Sequence, residues 1–214
     1  MAIAVIGDIH GEFGVLAQII QHTIPDGAEI IQVGDFGFWP ELRRHYVVPS
    51  RPVRFVDGNH DHIELLLAAQ CDWPNAIYKP RGSVEVIDGR RVLFLGGSMS
   101  VDRKWRQYKL GMNAWFDDEI VRQVDVETAL ENAKGGVDLM ITHTPPDHMI
   151  RKWFSPKGLR NFGHDPATWV DLAARRVEDV WRALGEPPLY CGHMHMPITD
   201  GPLRILNINE VAVI

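Results

Sequence analysis

Two cysteines, Cys71 and Cys191, are all the thiol in this 214-residue chain. That is too few for a disulfide framework, and a reducing compartment is the expectation. Long apolar runs are lacking as well: the stretches at 2–6 and 65–69 fall far short of the ~20 residues a membrane-spanning helix needs. The first residues show no basic segment followed by an apolar one, and a Gly-Asp-x-His-Gly segment begins at Gly7, where a signal peptide would still be apolar. A cytoplasmic protein with no membrane partner is therefore expected. Excess positive charge is missing too, since the formal net charge is −6. This argues against a generally cationic nucleic-acid binder, so any basic site must be local and no extended nucleic-acid binding is expected. There is no Gly-x-Ser-x-Gly elbow and no Walker-type Gly-Lys-Ser/Thr loop, which removes serine hydrolases and P-loop nucleotide hydrolases. No low-complexity tract, linker or repeat divides the chain, so residues 1–214 are expected to form one domain.

What is present is a series of short, β-branched apolar runs. Residues 2–6, 30–33 and 53–56 each end at Gly-Asp or Asp-Gly, and 137–142 ends at His143. Such runs are how strands buried on both faces end in loops. Helical spacing at 15–22 and 63–70 makes the first half β-α-β-β-α with parallel pairing. Residues 84–87 and 92–95 flank Asp88-Gly89-Arg90, a hairpin signal because an Asp-Gly pair accepts positive φ. Further helices are expected at 117–134 and 167–184, the second capped by Asp165 with Pro166 in its first turn. Strands at 189–192, 197–199 and 203–208 close an α/β fold.

The polar residues at the strand ends carry the chemistry. In chain order they are Gly7-Asp8-Ile9-His10-Gly11, Gly34-Asp35-Phe36-Gly37, Gly58-Asn59-His60-Asp61, Thr142-His143-Thr144 and Gly192-His193-Met194-His195. Ligands bind at the carboxyl ends of strands in α/β sheets, so segments distant in sequence can converge there. One Gly-Asp is usually a turn and one His usually a structural residue; five such segments in succession point to a metal site. The donors are carboxylates, an amide oxygen and imidazoles, a set that suits Mn, Fe, Co, Ni or Zn better than Ca or Mg. Asp8-x-His10 and His193-x-His195 are expected on extended segments, where residues two apart point the same way.

The series Gly-Asp-x-His, Gly-Asp, Gly-Asn-His-Asp, His and Gly-His-x-His resembles that of the calcineurin-like metallophosphoesterase superfamily, in its small prokaryotic and phage form. The resemblance spans Asp8 to His195. It implies two mixed β-sheets packed as a sandwich flanked by helices, in a single metallophosphoesterase domain. It further implies two divalent transition metal ions: Asp8, His10 and His195 on the first, Asn59, His143 and His193 on the second, and Asp35 bridging. Mn is the expected ion in vitro, with Fe, Zn, Co or Ni as alternatives. His60 matches the non-ligand histidine near the leaving group. Two divalent ions against the carboxylates of Asp8 and Asp35 leave a positive centre suited to an anionic phosphate ester, attacked by a metal-bridging hydroxide.

Protein serine/threonine phosphatases of the superfamily carry Gly-Asp-x-Val-Asp-Arg-Gly and Gly-Asn-His-Glu. Here Phe36-Gly37-Phe38-Trp39 follows Asp35, and Asp61 ends the third motif, which disfavours that role. Two stretches are expected as pocket-shaping loops. Residues 98–115 hold Arg103, Lys104, Arg106 and Lys109 with Trp105, Tyr108 and Trp115; residues 147–165 hold Arg151, Lys152, Lys157 and Arg160 with Trp153, Phe154 and Phe162. Cations among aromatic rings favour phosphates attached to stackable bases. Arg103, Trp105, Trp153 and His164 are the candidate substrate-binding residues, and Ser100 to Asp102 are expected to build a wall. The expected substrate is a small nucleotide or other phosphate ester. A phosphodiesterase acting on nucleotide diesters, cyclic nucleotides and 2′,3′-cyclic phosphates among them, leads. A broad-specificity phosphomonoesterase is the alternative, ahead of a nuclease or a silent scaffold.

Overall fold

A computed structural model describes residues 2–103, 117–155 and 157–214. Alternation along the first strand, β1 (Ile3–Ile6), explains the architecture. Ile3 and Val5 face one side and pack with Val92, Phe94, Leu139 and Ile141 of a second sheet. Ala4 and Ile6 face the other side, against Phe13 and Leu16 of helix α1 (Phe13–His22). A strand buried on both faces needs no polar positions, which is why the run is wholly apolar. The result is two sheets packed face to face with helices outside each.

The first sheet has the order β11-β1-β2-β3-β4, with β2 (Glu29–Gln32), β3 (Val53–Phe55) and β4 (Ala76–Tyr78) parallel to β1 and β11 (Val211–Val213) antiparallel. The second has the order β5-β6-β7-β8-β10-β9. Its parallel centre is β6 (Arg90–Leu95), β7 (Leu139–Thr142), β8 (Leu189–Cys191) and β10 (Leu203–Ile205), flanked by antiparallel β5 (Ser83–Ile87) and β9 (Ile198–Asp200). Both sheets are mixed, as expected. Helices α3 (Gln123–Asn132) and α6 (Leu172–Ala183) cover the second sheet through Val126, Ala129, Val177, Val180 and Trp181. Fully burying a valine such as Val177 or Val180 contributes about 1.5–3 kcal/mol.

Several boundaries differ from the sequence-based expectation. The helix expected at 117–134 is a 3₁₀ turn at Asp117–Glu119 followed by α3, because the buried Glu119 turns its carboxylate to the Ser100 backbone N–H and hydroxyl, each at 2.7 Å. The helix expected from 167 starts after Asp171, whose carboxylate accepts the Ala174 N–H at 2.9 Å. Asp165 instead caps a local turn by accepting the Ala167 N–H. Residues 147–165 are not one loop: they hold α4 (Asp147–Trp153) and α5 (Lys157–Asn161). Helix α2 (Ile63–Leu67) is shorter than expected, and β4 and β11 were not anticipated. Among the described residues, no helix is long and apolar enough to cross a membrane.

Candidate metal centre

Because β1, β2 and β3 run parallel in one sheet and β6, β7 and β8 in the other, the carboxyl ends of each set lie along a common edge. All five motifs emerge there. The loops are then locked by side chains that accept or donate backbone hydrogen bonds. Gln32, a buried amide at the end of β2, donates to the Gly7 carbonyl at 3.2 Å and to that of Gly34, and accepts the Gly34 N–H at 3.0 Å. Asp61 does more: its two carboxylate oxygens accept the N–H groups of Phe36, Gly37, Phe38 and Gly58 at 2.8–3.3 Å. Burial and the charge of Asp35 push its pKa up to about 7, against the N–H donors, which favour the carboxylate.

Asp8, His10, Asp35 and His195 offer donor atoms that all lie within 4.8 Å of one another. His195 Nε2 is 3.0 Å from Asp8 Oδ2 and 3.0 Å from His10 Nε2. The expected extended geometry is absent. His10, His193 and His195 have φ of 49°, 66° and 51°, and Asp35 has 54°, so left-handed turns aim these side chains inward. Such strain in non-glycine residues persists where surrounding contacts fix it, as the Asp8 carboxylate does by accepting the His193 N–H.

Asp35 faces two groups at once. Its Oδ2 is 3.8 Å from His10 Nδ1, while its Oδ1 is 3.4 Å from His143 Nε2 and accepts the His60 N–H at 2.7 Å. His143 Nε2 is also 3.3 Å from Asn59 Oδ1. His143 Nδ1 donates to the Val33 carbonyl at 2.9 Å, a partner that can only accept, so Nε2 is the nitrogen turned to the cluster. Asn59 is held by the Ser98 hydroxyl, which donates to Oδ1 at 2.8 Å. The His193 ring stands edge-on to His143, with centroids 5.0 Å apart. Every expected metal ligand is therefore in or beside one cluster.

The electrostatics follow from this crowding. Burial opposes ionisation of Asp35, yet His143, His60 and His10 hold its carboxyl well below the ordinary range. Burial likewise opposes the His143 imidazolium, but Asp35 and Asp8 outweigh it and push its pKa up to about 10. His193, packed beside that cation, is pushed down to about 3 by desolvation and by His143. His195 is raised, chiefly by its hydrogen bond to Asp8.

Glycine makes the approach possible. A Cβ on Gly58 would lie 2.1 Å from Asp35 Oδ1 and 2.4 Å from the Asp35 backbone nitrogen; one on Gly192 would lie 1.8 Å from Asp8 Oδ1. The profile of the calcineurin-like phosphoesterase family matches residues 1–197. The chain belongs to that family. No curated protein matches the sequence significantly. Convergent imidazole nitrogens and carboxylate oxygens at 3.0–3.9 Å fit divalent metal, and this calcineurin-like phosphoesterase is a metal-dependent phosphoric ester hydrolase.

The remaining candidates are spread out. His60 is pinned through its backbone: its N–H donates to Asp35, and its carbonyl accepts Trp39 Nε1–H at 3.0 Å. Its ring lies 5.0 Å from that of His10. Trp105, with the rest of 104–116, lies outside the described residues. Arg103 is exposed at the edge of that segment. Trp153 is turned away from the cavity that borders His193, because its indole N–H donates to Asp200 at 3.1 Å; its neighbour Phe154 lines the cavity instead. His164 packs on Trp169 with centroids 4.0 Å apart and sets Nε2 2.7 Å from the Val101 carbonyl. Cys191 is buried in β8 with its thiol toward the Arg204 carbonyl. Gln32, Asp61 and Ser98 had not been singled out as organisers. Gln32 could have been, as the one polar residue in the apolar run 30–33.

Proposed function

We propose that this calcineurin-like phosphoesterase is a phosphodiesterase that hydrolyses nucleotide diesters, cyclic nucleotides and 2′,3′-cyclic phosphates among them. Asp8, His10, Asp35 and His195 would hold one divalent ion, and Asn59, His143 and His193, together with Asp35, would hold a second. Manganese serves as the ion in vitro. When bound, the two ions acidify water and offset charge on the phosphoryl oxygens. Asp35 is suited to the shared position because its two oxygens face different donor groups. The Ser98 hydroxyl keeps the amide oxygen of Asn59 turned to the cluster. His60, fixed by its backbone beside His10, protonates the departing ribose oxygen.

The observation that carries the diester preference is the fate of the second motif. Where protein phosphatases carry an arginine for the phosphate, this segment spends its side chains on structure: Phe38 is buried in the core, and Trp39 holds the His60 carbonyl. A diester carries one negative charge at phosphorus and a monoester up to two, so a site with one cation fewer favours the diester. The substrates are small nucleotides, since the net charge of −6 supplies no extended basic track.

Turnover of bis(4-nitrophenyl) phosphate and 4-nitrophenyl phosphate, each with manganese and with chelator, tests the assignment. The diester is expected to have the higher kcat/KM, and both activities to vanish in chelator. A monoester kcat/KM above that of the diester would replace this function with a phosphomonoesterase.

A further inference from the structure

Beside the metal cluster lies a cavity of about 520 Å³ that shares His193 with it. Its walls are Ile150, Phe154, Leu159, Phe162, Trp169 and Met194. The position of each follows from local structure. Asp147, Ile150, Arg151 and Phe154 recur at i, i+3, i+4 and i+7 and so share the face of α4 and its C-cap that borders the cavity. Trp153, one residue off this face, reaches Asp200 instead. The back wall is fixed by His164, which packs at a tilt on Trp169 and meets the Val101 carbonyl, joining two segments that both line the space.

We propose that this cavity receives the nucleobase of the substrate, an inference that rests on the nucleotide diesterase reading and names the subsite for its uncharged half. Three of the six apolar walls are aromatic rings, which offer flat faces for stacking a planar group. The cation that lines the cavity, Arg151, is already paired: its Nε donates to Asp147 Oδ2 at 2.6 Å, and Arg175 Nε lies 3.8 Å from the same oxygen. A second phosphate would therefore find no free cation in this pairing, whereas a neutral base leaves it intact. Carboxylates of Asp147 and Asp171 border the apolar walls and can accept hydrogen bonds from an exocyclic amine. The volume lies within the ~300–1,000 Å³ of small-molecule sites, which combine apolar walls with a few polar groups in this way. Continuity through His193 sets the base on one side of the cluster and the phosphate on it.

The test compares two five-membered cyclic diesters, adenosine 2′,3′-cyclic phosphate and glycerol 1,2-cyclic phosphate, which share the reacting ring and differ in the base. With the manganese-loaded protein, kcat/KM is expected to favour the adenosine compound by roughly tenfold or more. Phe154→Ala should cut that ratio about tenfold, and Phe154→Tyr, which keeps the ring, should restore it. Calorimetric binding of adenosine alone provides a second readout, expected to weaken about tenfold in Phe154→Ala. If both esters are hydrolysed with equal kcat/KM and adenosine does not bind, the cavity is not a base site. If neither ester is hydrolysed while adenosine binds in a Phe154-dependent way, the base site stands and the diesterase reading falls.

Discussion

Replacing Asp61 by Asn isolates what holds the second and third motifs together. In the wild type, Oδ1 accepts the N–H groups of Gly37 and Phe38, and Oδ2 those of Phe36 and Gly58. An asparagine of the same shape keeps one acceptor oxygen and presents an NH₂ where the other stood. Two buried N–H donors then face a donor. Each buried donor left unmatched costs about 1–3 kcal/mol, so the variant should lose about 2–6 kcal/mol of stability. The damage is not confined to folding, because the loop it loosens carries Asp35, and Gly58, whose N–H donates to Asp61, sits beside Asn59. Urea unfolding of the chelated protein measures the stability, and elemental analysis after dialysis against manganese measures the site. Both should fall. An unfolding free energy within 0.5 kcal/mol of wild type (~0.5 being the usual spread of inconsequential substitutions) together with undiminished metal content would refute the assignment.

His60→Ala should keep its metal but lower kcat by roughly 10²–10⁴-fold on nucleotide diesters, with a smaller loss on nitrophenyl esters, whose leaving group departs unprotonated; equal losses would make His60 a phosphate-orienting group. Gly192→Ala drives a Cβ to 1.8 Å from Asp8 Oδ1, so metal binding and thermal stability should both drop, and a variant with wild-type manganese content would contradict the close packing. Asp171, buried at the α6 cap, has a pKa raised from 3.8 to about 6 by desolvation. A carboxyl that keeps its proton longer when folded contributes stability that is complete below the unfolded pKa and lost as pH rises through the folded one. Asp171→Asn keeps the acceptor for Ala174 and has no charge to desolvate, so at pH 8 it should exceed the wild type by about 1–3 kcal/mol and match it near pH 4; a lower Tm for the variant at pH 8 would sink this reading.

The strand-end motifs were legible because a strand buried on both faces is largely apolar and gives way to polar residues where it ends. That rule located Asp8, Asp35, Asn59, His143 and His193, while the pairing of the strands into two sheets came from the family resemblance. It did not give the local geometry at His10, His193 and His195, whose left-handed φ values belong to turns enforced by contacts with distant segments. The strands β4 and β11 escaped because neither runs into a polar strand-end motif nor flanks an Asp-Gly turn, the two signals that marked the other strands. Helix α4 is short, and the cations and aromatic rings of 147–165 were read as a loop although they lie largely on two short helices. The capping error at Asp165 has a similar cause: Asp-Pro and Asp-Leu six residues apart both suit a helix start, and burial of Ala173 and Ala174 against the sheet decides for Asp171. Asp61 is the most instructive case. Its identity was noted as a departure from protein phosphatases, but its function depends on four N–H groups, three of them more than twenty residues away in sequence.

The central claim is that Asp35 serves two metal ions at once, and metal content of wild type and Asp35→Ala, measured by elemental analysis alongside diester turnover, tests it most directly. About two manganese ions per chain are expected in the wild type, as for two-metal phosphoesterases generally. The variant should hold at most one and lose turnover. An Asp35→Ala protein that retains two ions and normal turnover would show that this carboxylate bridges nothing.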